Sequence, residues 1–395
     1  MQMNRNSIMD FVEIGEEKMP RANVQVTRNL SSIGILALSL ALVACVGQQA
    51  MPPEPMPTPL ATAQPTEVIP FDHELVEAVT RLYQMKGHLI SSQKLWAQQD
   101  PMAAAHAAHP QSELFALVAD DLKAKAPGHE TRLEKALSLL PKLVAENITS
   151  TNEIQAAYDA AFTAIDEAVA TLAGDARHDP AFVAQIIAKL LEGASEEYAE
   201  AVQEDQLHNL EEYQDAYGFL QVASQLFGAI AEEIRAANVK EHAELEKAFK
   251  ELHNWLPDVA TPPKPLADPS LVTTTVKTAR IELAEVFGFT LTEIAQEDRL
   301  AFIRERITQA LQEYEKGEMD EAYELAASAY LDGFEHLEGE LLGKDPKLVE
   351  TLELQFKTLR DQIRAGVSLN ELRAIQAEIE VNLIKVAEHL ESKSK

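Results

Sequence analysis

Three histidines and a scatter of carboxylates are the side chains here whose types and spacing could hold a metal ion. In "DPMAAAHAAHPQSEL" (100–114), His106 and His109 are three apart and Glu113 follows His109 by four. On a helix that continues through Pro110, those intervals put all three on one face. His88, in "MKGHLISSQKLW", lies on the preceding helical stretch and could supply a third nitrogen across an antiparallel pair. Imidazole with carboxylate suits iron, copper or zinc better than the alkaline-earth ions. The same spacing also fits a packing role, with the histidines capping carbonyls or lying beside an aromatic such as Trp96. No His-Glu-x-x-His or cysteine-rich spacing decides between a metal or haem contact and packing.

A second cluster lies in "AYLDGFEHLEGEL" (329–341), where Asp332, Glu335, His336 and Glu338 fall within two helical turns. Carboxylates this close repel one another, and a bound cation relieves the repulsion. A solvated acidic face is the competing reading. Glu211, Glu212 and Asp215 raise the same question. No nucleophile elbow, phosphate-cradling glycine loop, dinucleotide fingerprint or Ser/His/Asp arrangement occurs, so the chain is not expected to be an enzyme.

The elements that must position these residues are helices. After Pro70, Ala, Leu, Glu, Gln and Lys recur in amphipathic spacing with hardly any alternating β-branched segment. The pattern predicts helices near 72–98, 101–125, 129–146, 151–173, 180–203, 207–237 and 240–255. Asp72, Asp100 before Pro101, Thr151 and Asp179 before Pro180 are the expected caps. The stretch "PDVATPPKPLADP" (257–269) interrupts the pattern with five prolines. Helices resume near 270–288, 290–316, 319–343, 345–365 and 368–392. The expected fold is all-α, with one helical-bundle domain over 71–256, a linker over 257–269 and a second bundle over 270–395.

The formal charge is -30, from 34 Lys+Arg against 64 Asp+Glu. Such a surface repels phosphate backbones, so nucleic acid is not an expected partner. Arg21 and Arg28 precede the apolar run "IGILALSLALVA" (33–44), which has the length of a signal-peptide core. It ends at Cys45, the only cysteine. Leu42, Val43, Ala44 and Cys45 resemble the lipobox of bacterial lipoproteins, which implies a signal peptide over 1–44 and a lipidated Cys45. The first 18 residues fit a signal poorly, so Met19 is an alternative start. The seven prolines between Val46 and Pro70 predict a disordered tether over 45–70. The expected location is extracytoplasmic, anchored by lipid to a plasma or outer membrane.

Three longer stretches carry a further resemblance. "MKGHLISSQKLWAQQDPMAAAHAAHPQSEL" (85–114) resembles part of a bacterial extracytoplasmic helical domain. "EEYAEAVQEDQLHNLEEYQDAYGFLQVA" (196–223) and the stretch 314–366, with its "AYLDGFE" segment, are similar to parts of the periplasmic portion of bacterial high-affinity iron permeases. The permease's Arg-Glu-x-x-Glu motif is absent, since "RERIT" (304–308) lacks the second glutamate, and so is a Cys-x-x-Cys-His haem segment. The resemblance therefore implies a metal-linked accessory module without transport activity, working beside a membrane permease or oxidoreductase. A structural, partner-docking lipoprotein is the alternative.

Overall fold

The computed structural model describes residues 71–146, 150–203, 206–291 and 296–391. Cys45, the apolar run before it and the proline-rich tether lie outside them. The described chain is all-α. It opens with α1 (His73–Ala97), α2 (Ala103–His109), a π-turn (Pro110–Leu114), α3 (Ala116–Lys125), α4 (Pro127–Glu146) and α5 (Thr151–Ala173). A 3-10 turn (Gly174–His178) leads into α6 (Pro180–Ala201). A minimal hairpin, β1 (Val202–Gln203) against β2 (Gln206–Leu207), then turns the chain back into α7 (Leu210–Ala237) and α8 (Val239–Trp255). Beyond the non-helical 257–268 come α9 (Pro269–Phe287), α10 (Gln296–Lys316), α11 (Met319–Ser328), a second π-turn (Ala329–Phe334), α12 (Glu335–Leu342), α13 (Pro346–Ala365) and α14 (Leu369–Glu391).

The helix starts follow from side chains that satisfy otherwise bare amides. Asp72 accepts from the Glu74 amide at 3.1 Å, and Asp179 and Asp268 do the same ahead of Pro180 and Pro269. Proline at the first helical position has no N–H to leave unpaired. The cap of α5 is Ser150, one residue before the expected Thr151, because Ser150 and Glu153 form a reciprocal capping box. The helices expected over 101–125 and 319–343 are each divided by a π-turn. In the first, the Phe115 amide reaches the Pro110 carbonyl five residues back at 2.9 Å. Pro110 lacks the N–H of a regular α-turn, and the widened turn carries the chain past it.

Three long helices, α1, α6 and α7, pack together at the centre. α1 and α7 meet at Gly87 and Gly218, where a Cβ on Gly218 would lie 2.4 Å from the Gly87 carbonyl oxygen. Beside this crossing the Ser91 hydroxyl donates to the Gln214 carbonyl at 2.6 Å. Only the absence of both side chains lets the backbones approach so closely, and this approach sets His88 against Asp215. α12 lies on α6, with Gly339 against Ala199. The described residues form one compact unit. No helix among the described residues is long and apolar enough to cross a membrane.

The proline-rich stretch buries Val259 and Ala267 in the core and is clamped there by one side chain of α6. Tyr198 donates to the Ala267 carbonyl and accepts from the Ala267 amide, both at 3.0 Å. Tyr198→Phe leaves both backbone groups without that partner, so it is expected to cost about 1–3 kcal/mol. Urea unfolding checks this, and an unchanged midpoint would mean that the clamp does not hold the segment.

Candidate metal centre

His88 from α1, His106 and His109 from α2, and Asp215 from α7 meet in the interior. One ligand atom from each lies within 4.8 Å of all the others. Asp215 is 2% exposed and His106 0% exposed, so the group sits in the core, where unpaired charge is expensive. His88 Nδ1 reaches Asp215 Oδ1 at 2.6 Å and His106 Nδ1 reaches the same oxygen at 2.9 Å. His109 Nδ1 lies 3.4 Å from Asp215 Oδ2 and 3.4 Å from His88 Nδ1.

The far nitrogens of two of these rings are committed elsewhere. His106 Nε2 donates to Gln214 Oε1 at 2.7 Å, and His109 Nε2 donates to Glu211 Oε1 at 3.0 Å. An oxygen behind the ring fixes its orientation and directs Nδ1 at the shared point, which is how histidines are held around a metal. Phe219 packs edge-on against His88 with ring centroids 5.0 Å apart, and it walls that side. Tetrahedral donors bound at ordinary metal–nitrogen distances stand about 3.4 Å apart. The contacts of 2.6–3.4 Å are those of a hydrogen-bonded proton network, and the donor types suit a first-row divalent ion.

Electrostatics follow from the geometry. Burial would raise Asp215, yet the charges of His88 and His106 and the bonds from His106 and His109 hold it well below the usual carboxylate range. Burial would lower His106, but the charge of Asp215 and the bonds to Asp215 and Gln214 raise it. For His109 the same opposition, with burial lowering and the bonds to Asp215 and Glu211 and the charge of Glu113 raising, ends at about 11. Without a metal, the cluster holds protons.

This corner opens into a cavity of about 550 Å³, walled by α1, α6, α7, the second π-turn with α12, and α13. Its walls bring together the two clusters that the sequence separates by more than 200 residues. Glu113 lines the cavity but is not in the close histidine group, where Asp215 takes the corner that the spacing suggests for it. Asp332 also lines the cavity, but Arg81 at 3.4 Å and the Ser328 hydroxyl at 2.6 Å already answer its carboxylate. Glu335 faces the cavity, while Glu338 is 1% exposed and bonded to Glu200 and Tyr330. His336 pairs with Glu196. Trp96 packs against Tyr158 and not against the histidines.

Burial and mutual repulsion push Glu197, Glu200, Glu335 and Glu338 well above the carboxylate range and Glu212 up to about 7. Gln214, Glu197 and Glu200 are not singled out by sequence motifs. A signal was available in Glu192, Glu196 and Glu200, which recur at i, i+4 and i+8 on a helix whose other faces are buried and apolar.

An all-helical bundle enclosing an acid-walled cavity with an imidazole–carboxylate corner is what fold and site define. Residues 173–290 match the family model of the iron permease-associated 4-helix bundle domain. The matched stretch carries α6, α7, α8 and α9, hence Asp215, Gln214, Glu211 and the α6 glutamates, but none of His88, His106 and His109. No curated protein and no solved structure matches the chain.

Proposed function

We propose that this chain is a non-enzymatic metal-binding lipoprotein of iron handling, held outside the cytoplasmic membrane by Cys45 and serving a permease or oxidoreductase. The cation is its cargo and is taken up at His88, His106, His109 and Asp215. One observation carries the reading: three imidazoles converge on one buried carboxylate while Gln214 and Glu211 hold two of the rings from behind. The iron permease-associated match over 173–290 supports iron as the relevant metal. The expected location rests on the apolar run and lipobox-like segment in the sequence.

The test is calorimetric titration of the full chain with ferrous, ferric, cupric and zinc ions. One saturable equivalent is expected, lost in His106→Ala/His109→Ala. Because the protons on His106 and His109 must leave as the metal enters, the measured heat is expected to change with the buffer's ionisation enthalpy. Affinity is expected to rise with pH between 5.5 and 7.5, by about tenfold per unit for each proton displaced. A histidine cluster that only packs α1, α2 and α7 together gives no saturable heat with any of the four ions, and that outcome would sink the proposal.

A further inference from the structure

The cavity that holds the histidine corner also holds a guanidinium left unpaired among the described residues. Glu353, Lys357 and Arg360 recur at i, i+4 and i+7 on α13 and line the cavity, while Leu352, Phe356 and Leu359 of the same helix fill the core. Arg360 is 7% exposed, and its Nη1 is buried with no hydrogen-bond partner. Its guanidinium carbon lies over the Tyr330 ring, 5.2 Å from the centroid. That contact steadies the plane of the group and uses none of its N–H donors. Among the described residues four Lys and Arg side chains line the cavity, and the other three are paired: Lys189 with Glu77 at 2.6 Å, Lys357 with Asp361 at 2.7 Å and Arg81 with Asp332 at 3.4 Å.

The acids around Arg360 do not neutralise it. Glu338 is bonded to Glu200 and Tyr330. Burial pushes Glu335 and Glu338 well above the carboxylate range, so at neutral pH they hold protons and offer O–H donors in place of negative charge. A charged donor left unpaired in the interior is costly until a ligand completes it. The planar fork of a guanidinium matches a carboxylate with two parallel hydrogen bonds. The space is also that of a small organic molecule: about 550 Å³, with Leu331 and Leu354 adding apolar wall.

We propose that Arg360 receives a carboxylate of a small organic polyacid, which enters the cavity as the chelator of the metal. The histidine corner takes the ion, and Arg360 takes the organic half of the same cargo. The inference rests on reading the cavity as a metal carrier's, but the anion is tested without metal.

Calorimetric titration of the metal-free full chain with citrate is expected to show one saturable equivalent. Arg360→Gln should weaken it at least tenfold. Arg360→Lys keeps the charge and loses the fork, so its affinity should fall between those of the parent and the glutamine variant. It also carries the comparison if Arg360→Gln melts early. Lys357→Gln, on the same helix and in the same cavity, should leave citrate affinity unchanged. His106→Ala/His109→Ala should bind citrate as the parent does while losing zinc, so a failed metal site and a failed anion site read separately. No saturable citrate heat in the parent, or equal affinity in the parent and both Arg360 variants, overturns the proposal. Inorganic phosphate binding as tightly as citrate overturns it too, since the site would then take any oxyanion.

Discussion

Asp215→Asn is expected to remove metal binding at the histidine corner and to cost about 3–5 kcal/mol of stability, the range for breaking a buried charge pair from one side. Asparagine keeps the shape and loses the charge on which His88, His106 and His109 all converge. The pH dependence has a definite sign. Asp215 is depressed, so its contribution is present above the ordinary carboxylate value of 3.8 and is lost as pH falls towards its lower folded value. His109 is raised from 6.5 to about 11, so its contribution is complete below 6.5 and drains away as pH rises towards 11. His106 is raised and drains in the same direction. All three contributions are therefore in place between about pH 4 and 6.5. Urea midpoints of parent and variant should differ most near pH 5.5 and less at pH 9. An equal difference at both values would mean that Asp215 does not hold the histidine protons.

The second large effect is expected from a residue that touches no ligand. In Gly218→Ala the new Cβ stands 2.4 Å from the Gly87 carbonyl oxygen and 2.7 Å from its carbon, both backbone atoms that no rotamer change can move. α1 and α7 must separate, which costs about 1–3 kcal/mol as overpacking. The separation lengthens the 2.6 Å contact between His88 and Asp215. A site loosened by even ~1 Å loses its preorganisation, and metal affinity should fall by about 10–100-fold, the range seen when supporting residues are removed. Gly228→Ala is the matched control, on the same helix with nothing within 4 Å of its Cβ. It should gain up to about 1 kcal/mol, because alanine is the better helix former. Equal melting temperatures and affinities for the two variants would contradict the role given to the crossing.

How much of this was legible in the sequence differs between scaffold and site. The helices were, because period and caps are local: Asp72 and Asp179 start α1 and α6 at the predicted places. The pairing of His106 with His109 was also legible, since i, i+3 on one helix needs no tertiary information. The partner at the fourth corner was not. Glu113 follows His109 by four and looks like the ligand, whereas Asp215 stands more than 100 residues away and reaches the histidines only through a glycine-on-glycine helix crossing. Nothing local marks Gly87 and Gly218 as partners, because each reads as an ordinary weak point in a helix. The acid wall was hidden for a similar reason. Glu335 and Glu338 are visible as a pair, but the groups that make them a wall lie on α6 and α7.

Each π-turn holds one residue more than an α-helix would use to cover the same arc. An α-helix advances about 100° per residue, so one residue too many would swing every side chain downstream a quarter turn or more out of phase. At Pro110–Leu114 and again at Ala329–Phe334 the excess is absorbed as a bulge, and the chain beyond it keeps its apolar stripe on the core. Both bulges contribute cavity-lining residues, Glu113 and Leu114 from the first and Tyr330, Leu331 and Asp332 from the second. In genetic terms, each bulge is what a single codon inserted into a regular helix would leave.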